Sequence, residues 1–241
     1  MKETVHIIAL RTIKYNDRHS ILSTFSLERG PLSFLVPAGN GREASRRRAL
    51  LMPLSIVECA ADFRPGRDIH TMSDPRLMAP LANLRMSPLK SALTLFIAEV
   101  LVSLLRESHA DAAMWGFIED SILTLDALSD SRTANFHICF LCRLGHFLGI
   151  APDTTTFSDG KVFDMIDGTF RASFPSHKEF LIGREAAVVA TLFRLSFNDM
   201  HLLRLSRSER NAMLDGILRY YSLHIAPLDS LRSLDVLRAL F

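Results

Sequence analysis

Near residue 76 the chain changes its hydrophobic period, and no other feature limits the possible folds as much. Before that point the pattern is one of short strands. Residues 7–13 alternate loosely, residues 20–27 alternate apolar and hydroxyl side chains, and Glu28-Arg29-Gly30 turns tightly into residues 32–36. Arg64-Pro65-Gly66 marks another turn. After it, Pro75, Pro80 and Pro88 punctuate a connector. Leu89, Leu93, Phe96, Ile97, Val100, Leu101, Leu104 and Leu105 then recur at helical spacing behind Ser87 as N-cap and Pro88 at the first helical position. Further helical stripes run from Met114 to Leu128 and over residues 134–148, 185–197 and 206–224, the last opening with Ser206 and Glu209 in capping-box spacing. The expectation is an α+β protein, with a small antiparallel barrel over residues 1–76 and a helical domain over residues 77–241.

The helical pattern breaks between Pro152 and Pro175, where Asp159-Gly160, Val162-Phe163-Asp164 and Asp167-Gly168 suggest a hairpin-like excursion over residues 152–176. Asp164 and Asp167 beside Gly168 read as turn residues more readily than as a cation site. Cys139, Cys142 and His146 share one helical face, but their helix is crowded with Ile138, Phe140, Leu141, Leu144 and Phe147, and cysteine there reads as a small hydrophobe. No metal and no cofactor are expected. No nucleophile-elbow, Walker or His-Glu-x-x-His motif occurs, so no enzyme activity is expected either.

With 241 residues, 48% of them hydrophobic and 22% charged, the chain can bury one large or two modest cores. The apolar run at residues 5–10 is cut by His6 and is too short for a secretory segment, which points to the cytoplasm. The longest apolar stretch, residues 92–105, contains Glu99 and falls short of the ~20 residues that span a bilayer. A net charge of only +2 means that any affinity for nucleic acid must come from a local patch. One such patch stands out. Gly39-Asn40-Gly41-Arg42-Glu43-Ala44-Ser45-Arg46-Arg47-Arg48 reads as a basic loop at the barrel rim, and three consecutive arginines cannot all enter a core.

The strand, the Glu-Arg-Gly turn, the following strand, Gly39, Ser45, the arginine cluster, Ala49-Leu50 and Pro53 together resemble the N-terminal OB-fold of the bacterial recombination mediator family RecO. Tyr220-Tyr221 to His224, Leu231-Arg232-Ser233-Leu234 and Val236-Leu237-Arg238 are similar to that family's closing helices. The resemblance implies an N-terminal OB-fold barrel followed by a helical domain. Many RecO relatives carry a zinc ribbon with two Cys-x-x-Cys pairs where this chain has its cysteine-free excursion, so that metal does not carry over. Relatives also often have a lysine where this chain has Ala38.

The family further implies a nucleoid-associated protein that binds single- and double-stranded DNA. It would act with RecR in RecF-pathway repair, help load RecA onto strands coated by the single-strand-binding protein SSB, and anneal complementary strands. Expected DNA-binding residues are Arg42, Arg46, Arg47, Arg48, Arg11, Lys14 and Arg18. The acidic tail of SSB, ending in phenylalanine, would meet the region of Asn135 and Phe136 with Arg132 and Arg143, although Asn135 stands about where a relative has arginine. The residues alone also allow an RNA-binding module or an adaptor for acidic proteins.

Overall fold

A computed structural model describes residues 2–39, 41–64, 66–228 and 231–241. Asn40 of the basic run and Pro65 of the Arg64-Pro65-Gly66 turn lie outside the described residues. Five strands close a barrel in the order β1-β2-β3-β5-β4, formed by β1 (Lys2–Lys14), β2 (His19–Ser26), β3 (Gly30–Pro37), β4 (Ile56–Asp62) and β5 (Ile69–Leu77). All neighbours pair antiparallel except β3 with β5, which run parallel. Between β3 and β4 lies α1 (Arg42–Leu50). This five-stranded barrel with its helix is the OB-fold architecture expected from the sequence.

Val5, Ile7, Ala9, Leu22, Phe34, Val36, Val57, Cys59 and Ala61 fill the barrel, with Leu51 entering from the end of α1. Ile8, Phe25 and Ile56 are equally buried although they occupy alternate positions. Helices cover them from outside. α2 (Ala82–Met86), α3 (Pro88–Leu104) and α4 (Ala112–Ala127) follow the barrel, α3 packs against β1, and Phe25 stacks on Trp115 of α4 with ring centroids 6.3 Å apart. Burial on both faces explains why Ile7-Ile8-Ala9-Leu10 alternates only loosely. Gly30 is required by the same packing. Its φ is +72°, and a Cβ there would stand 2.7 Å from the backbone carbon of His109. The secondary-structure type changes near residue 77, whereas the first compact unit continues through Ala127 because these helices join the barrel.

The basic run is a helix and not the loop expected from its flanking glycines. Arginine, alanine and glutamate favour helix, and Glu43 in the first turn with Arg47 and Arg48 in the last complement the helix dipole. Because α1 buries no residue within its span, it carries no hydrophobic stripe that could have announced it.

The second unit, residues 128–241, contains α5 (Phe136–Phe147), a three-stranded sheet of β6 (Val162–Asp164), β7 (Thr169–Arg171) and β8 (Phe180–Leu181), then α6 (Gly183–Leu192), α7 (Arg207–His224) and α8 (Leu234–Leu240). The sheet order is β7-β6-β8, so the excursion extends past residue 176 to Leu181. α6 stops at Leu192, short of the expected 197. Arg194 and Leu195 bond three residues back, and Ser196 exchanges hydrogen bonds with Asp199, a local alternative to continuing the helix. The Ser206–Glu209 capping box forms as expected.

Asp164 organises the sheet. Its carboxylate, wholly buried, accepts hydrogen bonds from the backbone N–H groups of Ile166 and Asp167 and from Arg171 Nη1 at 2.7 Å, and His177 Nε2 lies 3.2 Å away. The excursion docks on α7. Tyr220 donates to the Ile150 carbonyl, His224 Nε2 lies 2.9 Å from the Met165 carbonyl, and Arg219 grips Glu179 with two nitrogens. Cys139 and Cys142 are core residues of α5, and burial pushes the Cys139 thiol up to about 12. No helix among the described residues is long and apolar enough to cross a membrane.

Candidate nucleic-acid interface

Cations gather at the end of the barrel where β1 turns into β2. The turn is held rigidly: Asn16 Oδ1 accepts from the N–H groups of Arg18 and His19, Tyr15 and Asn16 both donate to the His19 carbonyl, and Lys14 pairs with Asp17 at 2.8 Å. The N–H of Ala38, just past β3, donates to the Arg18 carbonyl at 2.9 Å. Arg48 reaches back from α1 to the Gly39 carbonyl and to Ser45 Oγ. The two residues Ala38 and Gly39 therefore join the β1–β2 tip to the basic helix, and the structure brings Arg18 and the α1 arginines to one rim.

The arginines of α1 divide by role. Arg48 is engaged in holding the helix to its own approach segment. Arg42, Arg46 and Arg47 have no side-chain hydrogen bond or ion pair among the described residues, and Arg42 and Arg46 lie one turn apart. Arg11 is exposed beside a β-bulge, between Ala9 and Arg11, that shifts the register of β1 against β2.

The open face of the barrel leads away from this rim. Arg11, Ser23, Ser33 and Ile69 form one cross-strand row, and Ile13, Ile21, Leu35 and Thr71 form the next. No aromatic ring lies in either row. Phe34 points into the barrel and Phe25 lies under α4, so neither can stack on a base. At the far end of β3, Arg29 stacks on Phe63 and pairs with Glu3, and Arg64 pairs with Asp62. Arg67 is exposed in the same β4–β5 turn. It was not singled out by sequence reasoning, although a basic residue next to Pro65-Gly66 between strands was the available signal.

The second unit holds an open cleft of about 460 Å³ lined by Arg132, Asn135, His201, Leu203, Arg204 and Arg210, among others. Asn135 sits at the N-cap of α5 and donates to the carbonyls of Met200 and Leu203 while its own oxygen accepts from Arg210 Nε. Arg210 is fully engaged, with its other nitrogens on the carbonyls of Leu205 and Phe241. Arg132 lies 3.3 Å from His201 Nδ1, and exposed Arg204 has no side-chain partner among the described residues. Of the four residues expected here, Arg132 and Asn135 line the cleft. Phe136 is buried against Phe197, over which Arg143 places its guanidinium. Arg204 and Arg210 were not foreseen, because their approach to Asn135 bridges more than sixty residues of chain.

Comparison with known proteins agrees with this architecture. Residues 1–96 match the family model described as recombination protein O N terminal, and residues 85–235 match recombination protein O C terminal. The chain is 36% identical over 241 residues to a DNA repair protein RecO of Phocaeicola vulgatus, covering all of this chain and 99% of the relative. It is 35% identical over 242 residues to one of Bacteroides fragilis, covering all of this chain and 99% of that relative. For one of Porphyromonas gingivalis the identity is 34% over 239 residues, or 97% of each chain. With both family halves matched in order along its length and an OB-fold barrel preceding a helical unit, the chain belongs to the RecO family of DNA repair and recombination proteins.

Proposed function

We propose that this protein is a DNA-binding recombination mediator. It acts in RecF-pathway repair with RecR, promotes RecA loading on SSB-coated single strands, and anneals complementary strands. The observation that carries the reading is the set of guanidinium groups on α1, Arg42, Arg46 and Arg47, that have no side-chain partner among the described residues, with Arg18 at the same rim of the barrel and exposed Arg11 on the face that leads away from it. Idle cations in a group release condensed counterions when they meet phosphates, and on two strands they reduce the repulsion that opposes pairing. No bond of the DNA is made or broken in this role.

The cleft around Asn135 suits the acidic tail of SSB. Arg132 and Arg204 offer guanidinium groups to carboxylates, and Leu203 and Leu205 supply apolar wall. Arg143 stays with Phe197 and is a weaker candidate. The cytoplasm, in association with the nucleoid, is where such a protein would work.

Changing Arg42, Arg46 and Arg47 together to alanine removes three charges, so the slope of log affinity against log salt for single-stranded DNA should shrink by about 2, at ~0.7 per contact. An unchanged slope in a folded variant would remove α1 as the phosphate-binding element. For the cleft, charge reversal at Arg204 should weaken an acidic peptide ending in phenylalanine while leaving DNA affinity unchanged.

A further inference from the structure

Tyr15 occupies the tip between Lys14 and Arg18 with 61% of its surface exposed. Among the described residues of the first unit it is the one exposed aromatic: Phe25, Phe34, Phe96, Phe117 and Trp115 are buried, and Phe63 lies beneath Arg29. A lone exposed tyrosine is ordinary on a protein surface. This one differs in its mounting and its neighbours. Its own N–H bonds the His19 carbonyl, Asn16 closes the turn with two further hydrogen bonds, and Ala38 ties the tip to the segment leading into α1. The ring is presented from a fixed platform between Lys14, which is ion-paired to Asp17, and Arg18, which has no side-chain partner among the described residues, at the edge of two cross-strand rows that contain no aromatic ring.

We propose that Tyr15 is the base-stacking residue of the interface, and that it adds affinity for strands with unpaired bases that a continuous duplex does not receive. The inference rests on the DNA-binding reading of the α1 rim. Phosphates are held by the arginines whether or not a strand is paired, so the cations alone cannot tell single strands from double. A base stacks on an aromatic face only where it is free of its neighbours, and such stacking tolerates any sequence because every base has a π-face. One ring at the tip, next to a line of cations, therefore reads a single exposed base while the backbone follows the arginines.

The test uses the intact protein with three probes of equal length at one salt concentration: an oligo-dT strand, an abasic strand that keeps every phosphate, and a duplex. Wild type should bind oligo-dT about tenfold more tightly than the abasic strand, as expected for one stacked base. Tyr15→Ala should lower oligo-dT affinity to the abasic level without changing abasic or duplex affinity or the salt slope. Tyr15→Phe, which keeps the ring, should behave as wild type. Oligo-dT binding unaltered in Tyr15→Ala would overturn the inference while leaving the phosphate-binding reading intact, and so would a loss in Tyr15→Phe equal to that in Tyr15→Ala, which would assign the effect to the hydroxyl. Failure of wild type to bind any probe would overturn both. Photo-crosslinking of a 5-bromouracil strand, mapped by mass spectrometry, gives an independent reading, and crosslinks that avoid Tyr15 would also overturn the inference.

Discussion

The charged side chains around Asp164 and those on α1 are made of the same chemistry and do opposite things. Around Asp164 every interaction points inward: two backbone N–H groups, Arg171 and His177 converge on one buried carboxylate. On α1, Arg42, Arg46 and Arg47 have no side-chain hydrogen bond or ion pair among the described residues. The difference separates structure from function. A guanidinium whose donors are all satisfied internally stabilises a fold and has nothing left to offer a partner, whereas idle guanidinium groups held in a cluster repel one another and contribute only when an anion arrives. Arg48 lies between the two cases, with its donors on Gly39 and Ser45.

The sharpest way to break this comparison is at Asp164. Asp164→Ala leaves the N–H groups of Ile166 and Asp167 without their acceptor and Arg171 with only the exposed Asp167 carboxylate at 3.4 Å, so calorimetry of the intact protein should show a loss of about 3 kcal/mol in the second unit. The salt slope for DNA should stay as in wild type. If instead DNA binding falls with stability, the two regions are not independent.

The same carboxylate predicts an acid response. Burial by itself raises the Asp164 pKa, but hydrogen bonds from the Asp167 N–H, Arg171 and the Ile166 N–H, with the nearby His177, outweigh it and leave the folded value below the ordinary 3.8. Its contribution to stability is therefore complete above the unfolded carboxylate pKa and drains as pH falls through the lower folded value. Denaturant midpoints measured from pH 5 downward should drop less steeply in Asp164→Asn than in wild type.

Gly30→Ala tests the barrel side of the contrast through the backbone. It combines a positive φ with a contact too close for a methyl group, and should lower stability by about 2 kcal/mol. Arg48→Ala should cost about 1 kcal/mol, the value of its two hydrogen bonds, and should reduce the salt slope for single-stranded DNA by less than Arg46→Ala does. The triple change at Arg42, Arg46 and Arg47 should move stability by less than about 0.5 kcal/mol, because those side chains hold nothing in place. The smallest effect belongs to metal removal. Chelation should leave the melting temperature unchanged, since Asp164 with Arg171 and His177 fastens the excursion that zinc ribbons fasten with cysteines.

How much of this was legible in the residues depended on the range of the physics involved. The strand pattern before residue 76, the α3 stripe, the Ser206–Glu209 box and the core role of Cys139 and Cys142 are visible because alternation, helical period and capping act over a few neighbours. α1 was missed as a helix because it buries no face within its span, leaving no periodic signal to read. Asp164 was legible only as a turn residue. Its partners Arg171 and His177 are seven and thirteen positions away and reach it only once the sheet has formed.

The sequence by itself determined that this chain would make a barrel and then helices, and that its free positive charge would lie near Arg42 to Arg48, because burial patterns and charge composition are local properties of the chain. Tertiary structure decided which of those cations are free. It turned Arg48 back on Gly39, set Arg18 beside Ala38, closed Arg210 on Asn135 and left Arg204 open, and it covered the outer face of β1 and β2 with α3 and α4. Whether a polar group has a partner is fixed by which segments approach one another in space, and that approach is set by packing of the whole unit.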